Sequence, residues 1–371
     1  MRVPYSYLKE QFADSEAILR DIKGLLEATQ YTLGPAVAQF EAAFARLCGA
    51  RFAVGVGTGT DALFLSLKAL GVGPGDEVIT AANTFIATAG AIVAAGARPA
   101  FVDAAEDFNI DPAGIERAIT PRTRAIMPVH YAGQPAKMGA ILPIAAAHGL
   151  PVVEDACQAI GAAIDGRLVS SFGVAAGFSL HPLKNLNVWG DGGVIVTGSE
   201  EMDATLRLLR NHGLRGRDAV EVFGYNSRLD TLQAIVGNHL IKDVEAITAA
   251  RIGNALALDA GLAPLAPRVR IPARRAGERH VFHLYMVEAE DRDRLLAHLL
   301  ARGVEAKIHY PVPLHLQPAG RRLGYREGDF PEAERQARRI ITLPVHQHLS
   351  REQVDYMIEA VTDFFRTGAP R

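Results

Sequence analysis

Lys184 lies in Phe178-Ser179-Leu180-His181-Pro182-Leu183-Lys184-Asn185-Leu186, an apolar segment that follows a run of strand character. Desolvation in such a place penalises the ammonium and lowers its pKa, which turns a lysine into a Schiff-base nucleophile. The competing reading is a lysine whose stem is buried while its amine snorkels to water. A second stretch, Gly55-Val56-Gly57-Thr58-Gly59-Thr60-Asp61, follows a predicted strand and opens a predicted helix at Ala62-Leu63. Helix N-termini offer unpaired N–H groups and a positive dipole end to phosphate. The third glycine of a dinucleotide fingerprint falls on Thr60, so the pattern favours one phosphate over a pyrophosphate. Its bland alternative is a glycine-rich turn in which Thr60 or Asp61 only caps the helix. In a third stretch, Val152-Val153-Glu154-Asp155-Ala156-Cys157-Gln158-Ala159, a buried strand runs into two acids. Carboxylates at the carboxyl end of a parallel strand lie where open α/β sheets bind ligands, although Asp155 could equally be a helix cap.

The elements that must position these residues are legible as alternation. Between Phe52 and Thr197, β-branched runs at 52–56, 77–80, 98–102, 124–129, 151–154, 177–180 and 193–197 alternate with helical stretches. That pattern requires crossover connections and an α/β fold with a mainly parallel, seven-stranded sheet covered on both faces. One of these helices is predicted to stop near His148, with Gly149 and Pro151 as cap and breaker. After Asp230 a long helical stretch runs through Arg251, and a smaller α+β unit follows. Its expected parts are a strand at 281–288, a helix at 291–301, a strand at 305–308 and a last helix at 351–365. The Pro-, Gly- and Arg-rich segment 264–279 reads as a connector or exposed loop. The expected division is a large domain with N-terminal helices over 1–245 and a small domain over 246–371.

Composition narrows the function. A chain of 371 residues with 49% hydrophobic content can bury a large core, and a net charge of −2 without a basic stripe argues against nucleic acid and anionic membrane. Cys48 and Cys157 form neither a CxxC pair nor a zinc pattern, which fits a reducing cytoplasm. The first ten residues lack the apolar stretch of a secretory signal. The apolar run 78–97 approaches bilayer length, but Thr80, Asn83, Thr84, Thr88 and Gly90 interrupt it, and it reads as a strand followed by a helix.

The three motifs occur in order with Asn83-Thr84-Phe85-Ile86-Ala87-Thr88, Gly133-Gln134-Pro135, Leu209-Arg210-Asn211-His212-Gly213, Gly224-Tyr225-Asn226-Ser227-Arg228-Leu229-Asp230 and the run from Ile308 to Gln317. Together they resemble the DegT/DnrJ/EryC1/StrS sugar aminotransferases, fold-type-I enzymes dependent on pyridoxal 5'-phosphate, over nearly the whole chain. The resemblance implies that Lys184 is the Schiff-base lysine and that Asp155 holds the pyridine nitrogen protonated. It further implies that Phe85 stacks on the cofactor ring, that Gln158 meets its phenolic oxygen, and that Gly59, Thr60 and Ser179 form the phosphate cup. Asn226 is implied to reach the neighbouring subunit's cofactor, hence a homodimer with shared active sites. The implied reaction is ping-pong, from L-glutamate to a nucleotide-linked keto sugar. The 308–317 run is most similar to members that aminate C3 of 3-keto hexoses, with His309, Tyr310 and His315 as candidate sugar contacts and His181 as a further one. The alternatives are a 4-keto sugar aminotransferase, a sugar dehydratase of the same family, in which histidine replaces the lysine, and a non-catalytic cofactor-binding regulator. Ala81, where proline is common, and His181-Pro182-Leu183, where Tyr-Pro-Gly or Tyr-Pro-Thr is frequent, depart from the family pattern without removing a catalytic group.

Overall fold

The computed structural model describes residues 1–366. Seven strands build the central sheet: β1 (Phe52–Val56), β2 (Glu77–Ala81), β3 (Arg98–Val102), β4 (Thr123–Ile126), β5 (Val153–Asp155), β6 (Ala175–Ser179) and β7 (Gly193–Thr197). Their spatial order is β1-β7-β6-β5 and then β4-β2-β3. Parallel bridges from Ile126 to Val152 and from Val129 to Asp155 join the two halves. All five residues of β2 and of β7 are buried, as expected for strands covered on both faces. β7 runs antiparallel to β1 and β6, while the other pairs are parallel. The reversal has a local cause: residues 180–192 between β6 and β7 contain no helix, and strands joined without a crossover pair antiparallel. That irregular connection carries Lys184.

Aromatic packing fixes the strand that delivers it. Phe178 of β6 meets Phe44 edge-on at 5.2 Å, and Phe44 meets Phe40 at 5.8 Å. All three rings are buried, each contributing about 1.5–3 kcal/mol of apolar transfer. They clamp the helix Pro35–Leu47 beneath the sheet. The apolar run 78–97 divides into β2 and the helix Ile86–Ala94, and no helix among the described residues is long and apolar enough to cross a membrane. The helix Met138–Ala147 ends at His148, with Gly149 at φ 63° just beyond it.

The C-terminal unit packs the helices Val244–Leu262 and Arg351–Arg366 against an antiparallel sheet of Val269–Arg270, Tyr285–Ala289 and Ile340–Leu343. Leu258, Leu262, Tyr285, Leu299 and Met357 form its core, and Val3 from the chain start joins them. Three expectations change. The strand expected at 281–288 begins at Tyr285, because Val281 and Leu284 bond instead to the carbonyls of Gly133 and Ala132. No strand forms at 305–308; Lys307 makes only a bridge to Thr342. The 264–279 segment is more than a connector, since Glu278–Arg279 pairs with Ala163–Ile164 and Arg275 bonds the Asp107 carboxylate and, at 2.6 Å, the Pro135 carbonyl. It stitches the C-terminal unit onto the large sheet. Residues 367–371 of the expected small domain lie outside the described residues.

Candidate active site

β5 ends on two adjacent acids whose partners differ completely. Glu154, fully buried, accepts hydrogen bonds from the N–H groups of Ser170 (3.0 Å), Phe172 (2.9 Å) and Gly173 (2.7 Å) and from His130 Nε2 (2.9 Å). Ala136 N–H donates to His130 Nδ1 at 3.0 Å, which leaves the ring proton on Nε2. Burial alone would raise the Glu154 pKa, but these donors outweigh it and hold the carboxyl below its ordinary value. Every acceptor site of Glu154 is occupied by the fold. Asp155 accepts from Thr88 Oγ1 at 2.7 Å and Cys157 N–H at 3.1 Å, and the Cys157 thiol also bonds it. An acceptor-only carboxylate held by a hydroxyl and an amide is suited to binding a protonated ring nitrogen.

The loop after β6 fixes Lys184 through its backbone. Its N–H bonds the His181 carbonyl at 2.8 Å, and its own carbonyl accepts from Tyr7 OH at 2.9 Å and Asn187 Nδ2 at 3.2 Å. The side chain is half-buried, and desolvation pushes the amine below its ordinary pKa against the attraction of Cys157 and Asp155. Lys184, Ser179, Gln158 and Cys157 line one small cavity with His283.

The glycine turn approaches the same place. A Cβ on Gly59 would lie 2.6 Å from Ser179 Cβ and 3.0 Å from Cys157 Sγ, so only glycine lets the helix end meet β6 this closely. The helix Gly59–Ala69 is capped by Thr58, whose hydroxyl accepts from Asp61 N–H at 2.9 Å; neither Thr60 nor Asp61 is the cap. Gly59 and Thr60 therefore head the helix, with N–H groups placed for an anion. Asp61 instead accepts from Ser227 Oγ at 2.9 Å, and Ser227 accepts from Gly57 N–H at 3.1 Å, tying the 224–230 motif to the turn. Asn226 is exposed beside Ser227.

Gln158 is oriented by Ala132 N–H, which donates to its Oε1 at 2.7 Å, and it hydrogen-bonds the Tyr310 hydroxyl. Tyr310 faces Phe85 with ring centroids 5.7 Å apart, and Phe85 is 47% exposed, an open aromatic face at the helix start. His309 bonds Thr342 Oγ1 through Nδ1 at 2.9 Å; burial, then Lys307 and Lys184, lowers its pKa to about 4. His181 is exposed, and its pKa too is lowered, by partial burial and then by Lys184.

His315 is not brought to the site. It sits fully buried on the short turn Leu314–Leu316, its Nε2 2.9 Å from Glu334 and its ring edge-on to Phe330 at 4.8 Å. The turn aims it at Glu334 on the helix Pro331–Arg339, where it braces the loop. The site residues missed in the sequence are Thr88, Ser227, Tyr7 and His283. Thr88 and Ser227 had a readable signal, since they lie inside the 83–88 and 224–230 motifs; the Thr88 hydroxyl meets that of Thr84 at 3.1 Å.

A buried aspartate, a desolvated lysine and a phosphate-ready helix end at one edge of a mainly parallel sheet define a pyridoxal-phosphate enzyme. Residues 13–362 match the DegT/DnrJ/EryC1/StrS aminotransferase family, and the chain belongs to that family. It is 44% identical to the dTDP-3-amino-3,4,6-trideoxy-alpha-D-glucose transaminase of Streptomyces venezuelae, covering 98% of this chain and 96% of that one. It is also 43% identical to a pleiotropic regulatory protein of Geobacillus stearothermophilus, over 99% of both chains. The crystal structure of S. venezuelae DesV in complex with a ketimine intermediate superposes with a TM-score of 0.95 at 43% identity, covering 98% of this chain and 99% of that one. The protein is an aminotransferase, and pyridoxal 5'-phosphate is its cofactor.

Proposed function

We propose that this aminotransferase carries an amino group from L-glutamate to C3 of a nucleotide-linked 3-keto hexose, in the cytoplasm, as a homodimer with shared active sites. The observation that carries the reading is the convergence of Asp155, Lys184 and the Gly59 helix end at one edge of the sheet. Gly59, Thr60 and Ser179 receive the cofactor phosphate, Phe85 covers the ring, Gln158 meets its phenolic oxygen, and Asp155 holds the proton on its nitrogen. The bound pyridinium supplies an electron sink for the carbanion left when the amino donor loses its Cα proton. Lys184 removes that proton as a free amine and returns one to the acceptor carbon in the second half-reaction, and desolvation, which lowers its pKa, favours the base form.

Tyr310 and His309 supply the wall against which the sugar is oriented, and His181 lies beside the lysine on the open side. The name of the Streptomyces transaminase supports C3 as the aminated carbon. A panel of nucleotide 3-keto and 4-keto hexoses with glutamate tests this. The 3-keto sugars should turn over faster, and a preferred 4-keto sugar overturns the regiochemistry while leaving the aminotransferase in place. The full-length match to a pleiotropic regulatory protein favours a second reading, a cofactor-binding regulator, which absence of turnover with every sugar would support.

The dimer rests on an exposed apolar stretch beside Asn226: Val220, Val222 and Tyr225 are exposed, and Phe223 is 97% exposed. A partner copy covers this patch and receives Asn226 at its cofactor site. Mixing Lys184→Ala and Asn226→Ala chains should restore half-site activity; inactivity after proven subunit exchange rejects the shared site.

A further inference from the structure

His283 lines two small cavities. One, of ≈ 10 Å³, it shares with Lys184. The other, of ≈ 20 Å³, it shares with Tyr5, Tyr7, Leu183, Arg251 and His346. The second exceeds the roughly 10–15 Å³ that one water requires. Three of its lining residues each bring a buried nitrogen without a hydrogen-bond partner among the described residues: Arg251 Nη2, His283 Nδ1 and His346 Nδ1. Leaving a buried polar atom unpaired costs about 1–3 kcal/mol, so three around one cavity call for a shared partner.

The role of each nitrogen follows from its surroundings. Arg251 Nη2 can only donate. His346 Nε2 lies 3.0 Å from the Pro4 carbonyl, which only accepts, so its proton is on Nε2 and its Nδ1 accepts. Burial, followed by the charges of Lys184 and Arg251 and by His309 and His181, holds His283 far below its ordinary pKa, so this ring too is neutral near pH 7. Neither cavity is lined by a carboxylate that would reverse this. A water that accepts from Arg251 and donates to both Nδ1 atoms satisfies all three groups with three hydrogen bonds, the usual number for a buried water. The His283 proton then resides on Nε2.

We propose that Arg251, His283 and His346 bind one water molecule, and that this water fixes His283 with Nε2–H turned toward the Lys184 cavity, as a positioning residue for the lysine amine. The proposal rests on the assignment of Lys184 as the cofactor lysine. The same cluster also holds the lysine backbone: Arg251 Nη1 donates to the Phe282 carbonyl at 3.2 Å, its Cζ lies 5.2 Å from the Tyr7 ring centroid, and Tyr7 OH donates to the Lys184 carbonyl. A neutral N–H donor beside the lysine nitrogen favours its unprotonated form, the form that takes a proton from substrate.

A high-resolution crystal structure of the holoenzyme should show one water within about 2.7–3.2 Å of the three nitrogens. A cavity without density, or one closed by direct contact between the side chains, overturns the site. In His283→Phe loaded with cofactor, the pH at which the bound cofactor's visible absorbance changes should rise by about one unit, as loss of a single donor implies. An unchanged or lowered transition overturns the positioning role. Borohydride reduction and peptide mapping of the same samples separate this failure from that of the underlying reading, which fails only if the cofactor is recovered on another lysine.

Discussion

At the sheet edge, Asp155, Ser179 and Lys184 are set by strand ends and by a loop whose backbone is bonded on both sides of the lysine. Along 308–317, by contrast, the histidines are set by a short turn and an irregular segment without strand pairing beyond one bridge. The first region gives each residue type one possible chemistry. The second places His309 beside Tyr310 and buries His315 only a few residues later. Regular elements fix where the first set of side chains points, whereas a turn of three residues decides which way the His315 ring points.

The largest effect belongs to the lysine. Lys184→Ala should fold and retain cofactor through the helix end and ring contacts, yet lose transamination by roughly 10³-fold or more in a coupled glutamate assay. Retained turnover would refute its role. Next come the neighbouring acids, which should break in different observables. Asp155→Asn should bind cofactor but slow both half-reactions by about 10²-fold, because an amide cannot hold the ring nitrogen protonated; near-normal rates reject the assignment. Glu154→Gln should instead destabilise the fold by about 1–3 kcal/mol in denaturant melts, since an amide cannot accept from all four donors. The folded pKa of Glu154 is depressed, so its contribution is present above the ordinary value and lost as pH falls through the folded one. The variant should lack that acid-dependent loss, and a wild-type-like stability curve would show that Glu154 is not the brace described.

Smallest are the two histidines. His309→Ala should slow the sugar half-reaction about tenfold, the worth of one hydrogen bond, with the glutamate half largely intact in single-turnover spectra. His315→Ala should lower melting temperature by removing the imidazole partner of Glu334, which keeps the Gly328 N–H, while changing the sugar half-reaction less than His309→Ala does. Equal kinetic effects from the two would erase the distinction drawn between them.

Much of the fold was legible because buried strands and their caps obey local rules. β1, β3 and β7 fall at their expected bounds, and Gly149 ends its helix as a glycine past the last turn should. The alternative of a Thr60 or Asp61 cap gives way to Thr58, whose hydroxyl takes the Asp61 N–H and so starts the helix at Gly59. Glu154 and Asp155 look alike in sequence; their opposite functions depend on which face of β5 meets Thr88 and which meets the 170–173 loop. Tyr7 and His283 were invisible because they meet the Lys184 loop from positions 177 residues before and 99 residues after it, and no local pattern encodes such a meeting.

The central claim is that Lys184 carries the cofactor. Borohydride reduction of the holoenzyme, followed by proteolysis and mass spectrometry, fixes the cofactor covalently to whichever lysine holds it. The label should be found on the peptide containing Lys184 and be lost in Lys184→Ala. Stoichiometric label on Lys68, Lys137, Lys307 or any other lysine, or its persistence in Lys184→Ala, would contradict the account.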